Sequence, residues 1–155
     1  MIHGQDAVSR IMQVPVSCAS DATITGIALD TLGYDYAVID VMLDTAAAAS
    51  NNPQTCTLCE GAVTTAGTAI AAFTGDDTTN GFTIPTMSLT GATGSVIRFC
   101  VDLLPRKRYL SVQLCSSTVG AELVAVHASL SRGGHAVTAT GPTDARLGCT
   151  EIVYG

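Results

Sequence analysis

SVIRFCVDLLPRKRYLSVQLCSSTVGAELVAVHASL, residues 95–130, holds three runs of alternating side chains. Ile97, Phe99, Val101 and Leu103 share one face of the first run, Ser95–Leu104, and Val96, Arg98, Cys100 and Asp102 share the other. In the second, Arg108–Cys115, Leu110, Val112 and Leu114 oppose Tyr109, Ser111, Gln113 and Cys115. In the third, Ala121–Leu130, Val124, Val126, Ala128 and Leu130 oppose Leu123, Ala125, His127 and Ser129. A side-chain period of two with one more polar face marks antiparallel strands covered on one side. The spacing predicts three consecutive strands forming a meander. Arg106, Lys107 and Arg108, the densest charge cluster in the chain, then fall at a hairpin tip or strand start.

The same period extends toward the N-terminus. Tyr34–Leu43 places Ala37, Ile39, Val41 and Leu43 opposite Tyr36, Val38, Asp40 and Met42. Arg10–Cys18 is apolar with Pro15 inside it, which confines it to a sheet edge or a strand end. Ala22–Leu29, Gln54–Gly61 and Gly67–Phe73 read as further strands, the last a partner for the one before it. Turns are expected at Thr31–Gly33, in the Gly- and Asp-rich stretch Thr74–Phe82, and at Thr90–Gly94. Short fragments flank Pro85.

Two segments lack a period. Residues 1–9 read as an exposed arm. Residues 131–155 read as a second arm, either ordered by another subunit or packed along its own sheet, with Leu147, Ile152 and Val153 as anchors. The expected fold is all-β: one antiparallel sandwich or jelly-roll-like domain of about eight strands over residues 10–130, with extended N- and C-terminal arms.

Composition narrows the function. A chain of 155 residues is long enough for one domain with a real core. Only 13% of residues are charged, about half the usual share, which suits a protein that covers much of itself with partners. The formal net charge of −6 argues against direct nucleic-acid binding. No apolar run has the length to span a bilayer, so no membrane partner is expected. The N-terminal residues lack the basic start and apolar segment of a secretory signal, so the chain is expected to be made in a cytoplasm and not exported by the general secretory route.

No pattern in the chain carries catalysis, and no enzyme is expected. Cys56-Thr57-Leu58-Cys59 is a C-x-x-C, but a strand sends its two thiols to opposite faces, and no second such pair supplies the rest of a zinc site. His127 reads as a structural or interface histidine, and His135 has no orienting partner. Gly75–Gly81 has the composition of a calcium loop without its twelve-position pattern, and reads as a solvated turn. No cofactor or metal is expected. Six cysteines sit at positions 18, 56, 59, 100, 115 and 149 and read first as buried thiols. A pairing of Cys100 with Cys115 stays open if a hairpin register brings them together. Arg106, Lys107 and Arg108 read equally as an edge-protecting charge cluster or as an ion-paired contact with an acidic neighbour.

The run Tyr34-Asp35-Tyr36-Ala37-Val38-Ile39-Asp40-Val41, then Phe99-Cys100-Val101-Asp102-Leu103-Leu104-Pro105-Arg106-Lys107-Arg108-Tyr109-Leu110, and finally Ser129-Leu130-Ser131-Arg132, resembles a group of small structural proteins of tailed bacteriophages. The resemblance covers about residues 25–132. In the middle segment Thr57–Gly61 keeps a glutamate at Glu60 but lacks the aspartates of the group, and the cysteines are additional. The resemblance implies a virion component on the outer capsid surface, assembled in the host cytoplasm. It implies a decoration or cement protein that bridges major capsid subunits and associates with itself as a dimer or trimer. It supplies no catalytic residues and leaves disulfides formed after release open. The alternatives are a tail or head-to-tail component of the same particle, or a carbohydrate- or receptor-binding β-domain. The last would use exposed aromatics, and only four tyrosines and no tryptophan are present for it.

Overall fold

The computed structural model describes residues 7–18, 22–44, 53–65, 67–77, 79–84, 94–115, 122–132 and 151–154. They form ten strands: β1 (Ala7–Cys18), β2 (Thr23–Thr25), β3 (Leu29–Asp30), β4 (Tyr36–Leu43), β5 (Thr55–Gly61), β6 (Thr68–Thr74), β7 (Ser95–Asp102), β8 (Tyr109–Cys115), β9 (Glu122–Ser131) and β10 (Glu151–Tyr154). One sheet has the order β1-β9-β4-β7-β10. The other has the order β2-β8-β5-β6, with β3 also on β8. Counting β2 and β3 as two halves of one edge strand, β1 to β9 give two four-stranded sheets. Nearly every connection crosses between them, and β5–β6 is a hairpin within one. This is a jelly-roll arrangement.

The apolar faces expected from the alternation meet between the sheets. Ala37, Ile39 and Val41 of β4, Ile97, Phe99 and Val101 of β7, and Leu110, Val112 and Leu114 of β8 are all buried, as are Val124, Val126, Ala128 and Leu130 of β9. The chain's three phenylalanines converge there, with Phe73 and Phe82 each edge-on to Phe99 at 5.5 and 5.7 Å. Each fully buried side chain of this size contributes roughly 1.5–3 kcal/mol relative to exposure.

The meander expected over residues 95–130 does not form. β7 lies in the first sheet, β8 in the second and β9 in the first. Alternation reports one buried face, and the inner faces of both sheets look onto the same core, so it does not say which sheet a strand joins. The segment between β7 and β8 is therefore a crossing between sheets rather than a hairpin. Cys100 and Cys115 stand in different sheets, and the register that could have paired them does not exist. Both are present as thiols.

The expected strand Ala22–Leu29 is interrupted at Gly26–Ala28, and the interruption joins the sheets. Gly26 donates its amide hydrogen to Val112 O of β8 (2.9 Å), and Ile27 donates to Met12 O of β1 (2.8 Å). A Cβ on Gly26 would stand 3.5 Å from Val112 O and 3.4 Å from Met12 O. The turn at Thr31–Tyr34 closes through Tyr34 N to Thr31 O (3.1 Å), with Gly33 at φ +84°, a conformation that glycine adopts without steric cost.

Both long outer strands are irregular. β1 is an edge strand, as Pro15 requires, and its register on β9 shifts between Ile11 and Gln13 and again between Gln13 and Val16. On β6, the edge of the other sheet, the register on β5 shifts between the pairs Thr57–Thr74 and Cys59–Ala69. Bulges of this kind spoil an edge as a template for further pairing. At the far side of the first sheet, β10 runs parallel to β7 with Val153 opposite Phe99 and 6% exposed. Of the two placements open to the last residues, this copy has them along its own sheet.

Candidate interaction surfaces

The crossing from β7 to β8 is pinned at one end of the sandwich. Leu103 is buried and donates its amide hydrogen to Asp35 O (3.0 Å), while Arg106 donates to Leu103 O (3.1 Å). Leu104, between them, is 80% exposed. The Arg106 guanidinium lies over the Phe73 ring, 5.9 Å from its centroid, and its Nε is buried without a hydrogen-bond acceptor among the described residues. Lys107 donates its backbone amide to Glu60 Oε2 (3.2 Å), and its Nζ is 4.0 Å from Glu60 Oε1.

Arg108 makes a two-pronged contact with Asp30 of β3, Nε to Oδ1 at 2.9 Å and Nη2 to Oδ2 at 2.7 Å, and its guanidinium lies over Tyr109. These bonds from Arg108, with the Leu32 amide, hold the Asp30 carboxyl down at about 2. The same pairing raises the Arg108 guanidinium. Both Lys107 and Arg108 thus meet acidic partners within their own chain.

The outer face of the first sheet carries a polar row. Asp40 of β4 lies in register with Arg98 of β7 on one side and His127 of β9 on the other. Arg98 grips the Asp40 carboxylate with two hydrogen bonds, Nε to Oδ1 at 2.6 Å and Nη2 to Oδ2 at 2.8 Å. Ile11 continues the row onto β1.

Beyond that row the surface turns apolar. On β1 Ile11 is 64% exposed, and Met42 and Leu123 on the neighbouring strands are also exposed. Ile11, Pro15, Met42 and Ala125 line a shallow groove of about 260 Å³. A second cleft of about 420 Å³ lies around the β1 edge, between Ile11 and the Ile27–Tyr34 segment. Ile27 and Leu32 on its rim are both exposed. Ile11, Met42 and Leu123, joined by Pro15 in one exposed strip, are more than scattered surface hydrophobes. The sequence signal for this strip was Pro15, which breaks the alternation of β1.

The remaining singled-out residues are structural. Cys18, Cys56, Cys59, Cys100 and Cys115 are buried thiols. Burial pushes the Cys56 thiol up to about 12 and raises Cys59, so neither is a ready nucleophile. Cys56 faces the core and Cys59 the opposite side of β5, as strand geometry required. Among the described residues no three His, Cys, Asp or Glu side chains converge on a metal position. In the Gly75–Gly81 stretch, Asp76 Oδ1 accepts from Ile84 N (2.9 Å) and Asp77 Oδ1 from Thr79 N (2.9 Å). Both carboxylates therefore serve the turn. Ile152 and Val153 belong to β10; Leu147, His135 and Cys149 lie outside the described residues.

No family model matches the chain, and no curated protein matches it. Among solved structures it is similar to the crystal structure of the infectious bursal disease virus VP2 subviral particle, with a TM-score of 0.53 at 8% identity. The match covers 83% of this chain and 32% of the VP2 chain, so the present chain spans about a third of that protein's length. At this identity the likeness is one of fold alone.

Proposed function

We propose that this chain is a non-enzymatic structural protein of a virus particle. In this reading it decorates or cements the capsid of a tailed bacteriophage by bridging major capsid subunits, and it associates with copies of itself. The observation that carries the reading is the strand order: a jelly roll of β1 to β9 like that of a protein which forms a subviral particle. The exposed apolar strip at Ile11, Pro15, Met42 and Leu123 gives such a protein a surface to lay against a shell. At roughly 25 cal/mol per Å² of apolar area removed from water, a few hundred Å² of such surface contribute several kcal/mol before the cost of association is subtracted.

Cryo-electron microscopy of particles carrying this protein tests the reading. The expected density is many copies spread over the icosahedral shell, each straddling a seam between major subunits. Density confined to a tail or portal overturns the cement role and points to the tail or head-to-tail alternative. Absence from purified particles overturns the virion reading altogether.

A further inference from the structure

β10 is an addition to a sandwich that is already complete. β1 to β9 make both sheets of the jelly roll. β10 joins only the outer edge of β7, through the register pairs Glu151–Ile97, Ile152–Arg98, Val153–Phe99 and Tyr154–Cys100. The pairing is parallel, which is slightly the weaker geometry per residue, and Val153 is its buried anchor.

The connection to β10 is longer than its own sheet requires. β9 ends at Ser131, level with Asp102 across β4, and β10 begins at Glu151, level with Ile97. Crossing β4 and β7 covers about 14 Å, and returning from the level of Asp102 to that of Ile97 covers about 17 Å. The direct path is therefore roughly 22 Å. Residues 132–150 reach up to ~60 Å when extended, more than twice that path.

We propose that the outer edge of β7 is a docking edge for the β10 strand of a second copy, so that neighbouring copies exchange these strands. The proposal rests on the self-association put forward above and specifies its contact. Every pairing between β10 and β7 within one copy is present unchanged in an exchanged pair, so exchange sacrifices none of them. Concentration decides between the two forms. A tethered strand competes at an effective concentration in the millimolar range, so exchange takes over where copies are crowded side by side, as on a surface they cover. The two bulged edges, β1 and β6, are poor competitors for the strand.

Tyr154→Cys tests the exchange, because it places a thiol in register with native Cys100. The variant is oxidised in dilute and in concentrated solution, run on a non-reducing gel, and the linked peptides are mapped. The expected result is an intrachain Cys100 link in dilute protein and a reducible covalent dimer, linked through Cys100, in concentrated protein. An intrachain link at every concentration overturns exchange. If the wild-type chain still dimerises by light scattering under those conditions, self-association stands and only its strand-exchange form falls.

A second variant keeps the proposal decidable if no link forms. Deleting residues 134–149 leaves a connection of roughly 14 Å, too short for β10 to reach its own β7. Exchange then predicts dimers even in dilute solution by light scattering. Monomers overturn it.

Discussion

Ile27 donates its amide hydrogen to the carbonyl oxygen of Met12, and this 2.8 Å bond ties the edge of one sheet to the edge of the other. The side chain of Ile27 takes no part, being 70% exposed. Ile27→Pro removes the donor and should cost about 1–3 kcal/mol, because the Met12 carbonyl loses its partner. Ile27→Ala keeps the bond and should stay within about 0.5 kcal/mol of the wild type. Urea denaturation of the two variants separates the backbone contribution from that of the side chain. Equal losses would show that the stitch is immaterial.

The Asp40–Arg98 pair is half-sheltered on its sheet, with side-chain exposures of 17% and 26%. Its two short, charge-assisted bonds have the geometry in which an ion pair contributes. Asp40→Ala and Arg98→Ala should each destabilise by about 1–2 kcal/mol. The double variant should lose less than the sum, with a coupling of roughly 0.5–1.5 kcal/mol. Strict additivity in that cycle would remove the pair from the list of stabilising contacts.

Asp30 supplies the pH dependence. Its carboxyl is held at about 2 against an ordinary value of 3.8, chiefly by the Arg108 bonds. A depressed value in the folded state means stability that is fully present above the unfolded value and is lost as pH falls through the folded one. The gap in urea midpoint between wild type and Asp30→Asn should therefore be constant above about pH 5 and close progressively between about pH 4 and pH 2. A gap that persists below pH 2 would place the effect of the substitution elsewhere.

Gly75 and Gly81 govern the turn that carries Phe82 onto Phe99. A Cβ at Gly75 would stand 2.7 and 2.8 Å from Ile84 Cγ1 and Cδ1 and 2.9 Å from Cys56 O, and one at Gly81 would meet the Thr74 carbonyl oxygen. Backbone cannot swing aside as a side-chain tip can. Gly81→Ala should cost about 2–3 kcal/mol and Gly75→Ala about 1–3 kcal/mol by thermal denaturation. Gly67→Ala, whose nearest contact is an ordinary 3.6 Å from Thr65 O, is the control and should change little.

Cys56 tests burial directly. A fully buried thiol raised to about 12 should resist alkylation by iodoacetamide at pH 8 in the folded protein and react promptly in denaturant. Mass mapping of the modified peptide reads the outcome. Rapid native labelling would mean that β5 opens far more readily than its place between β8 and β6 implies.

What the sequence disclosed follows from which physical signals are local. The inward faces of β4, β7, β8 and β9 were legible because period-two alternation is written into consecutive residues. Their allocation to two sheets was not, because both inner faces look onto one core. The break between β2 and β3 was hidden because its purpose is to meet Met12 and Val112, which are distant in sequence. β10 spans four residues, too few to show a period. The cation cluster stood out as a cluster, but its partners Glu60 and Asp30 lie 47 and 78 positions away. Alternation puts Met42 and Leu123 on the outer faces of their strands, but their meeting with β1 was not legible because it depends on which strands lie side by side.

The irregular edges of β1 and β6 have a consequence for the valency of the molecule. A β-sandwich with straight outer strands offers a sticky margin on each flank and can polymerise without end. Here one margin of each sheet is kinked out of register, and the opposite margins are short strands, β10 in the first sheet and the interrupted β2 and β3 in the second. A protein with so few open margins is biased toward terminated assemblies, in which each copy has a fixed and small number of neighbours, and away from fibres.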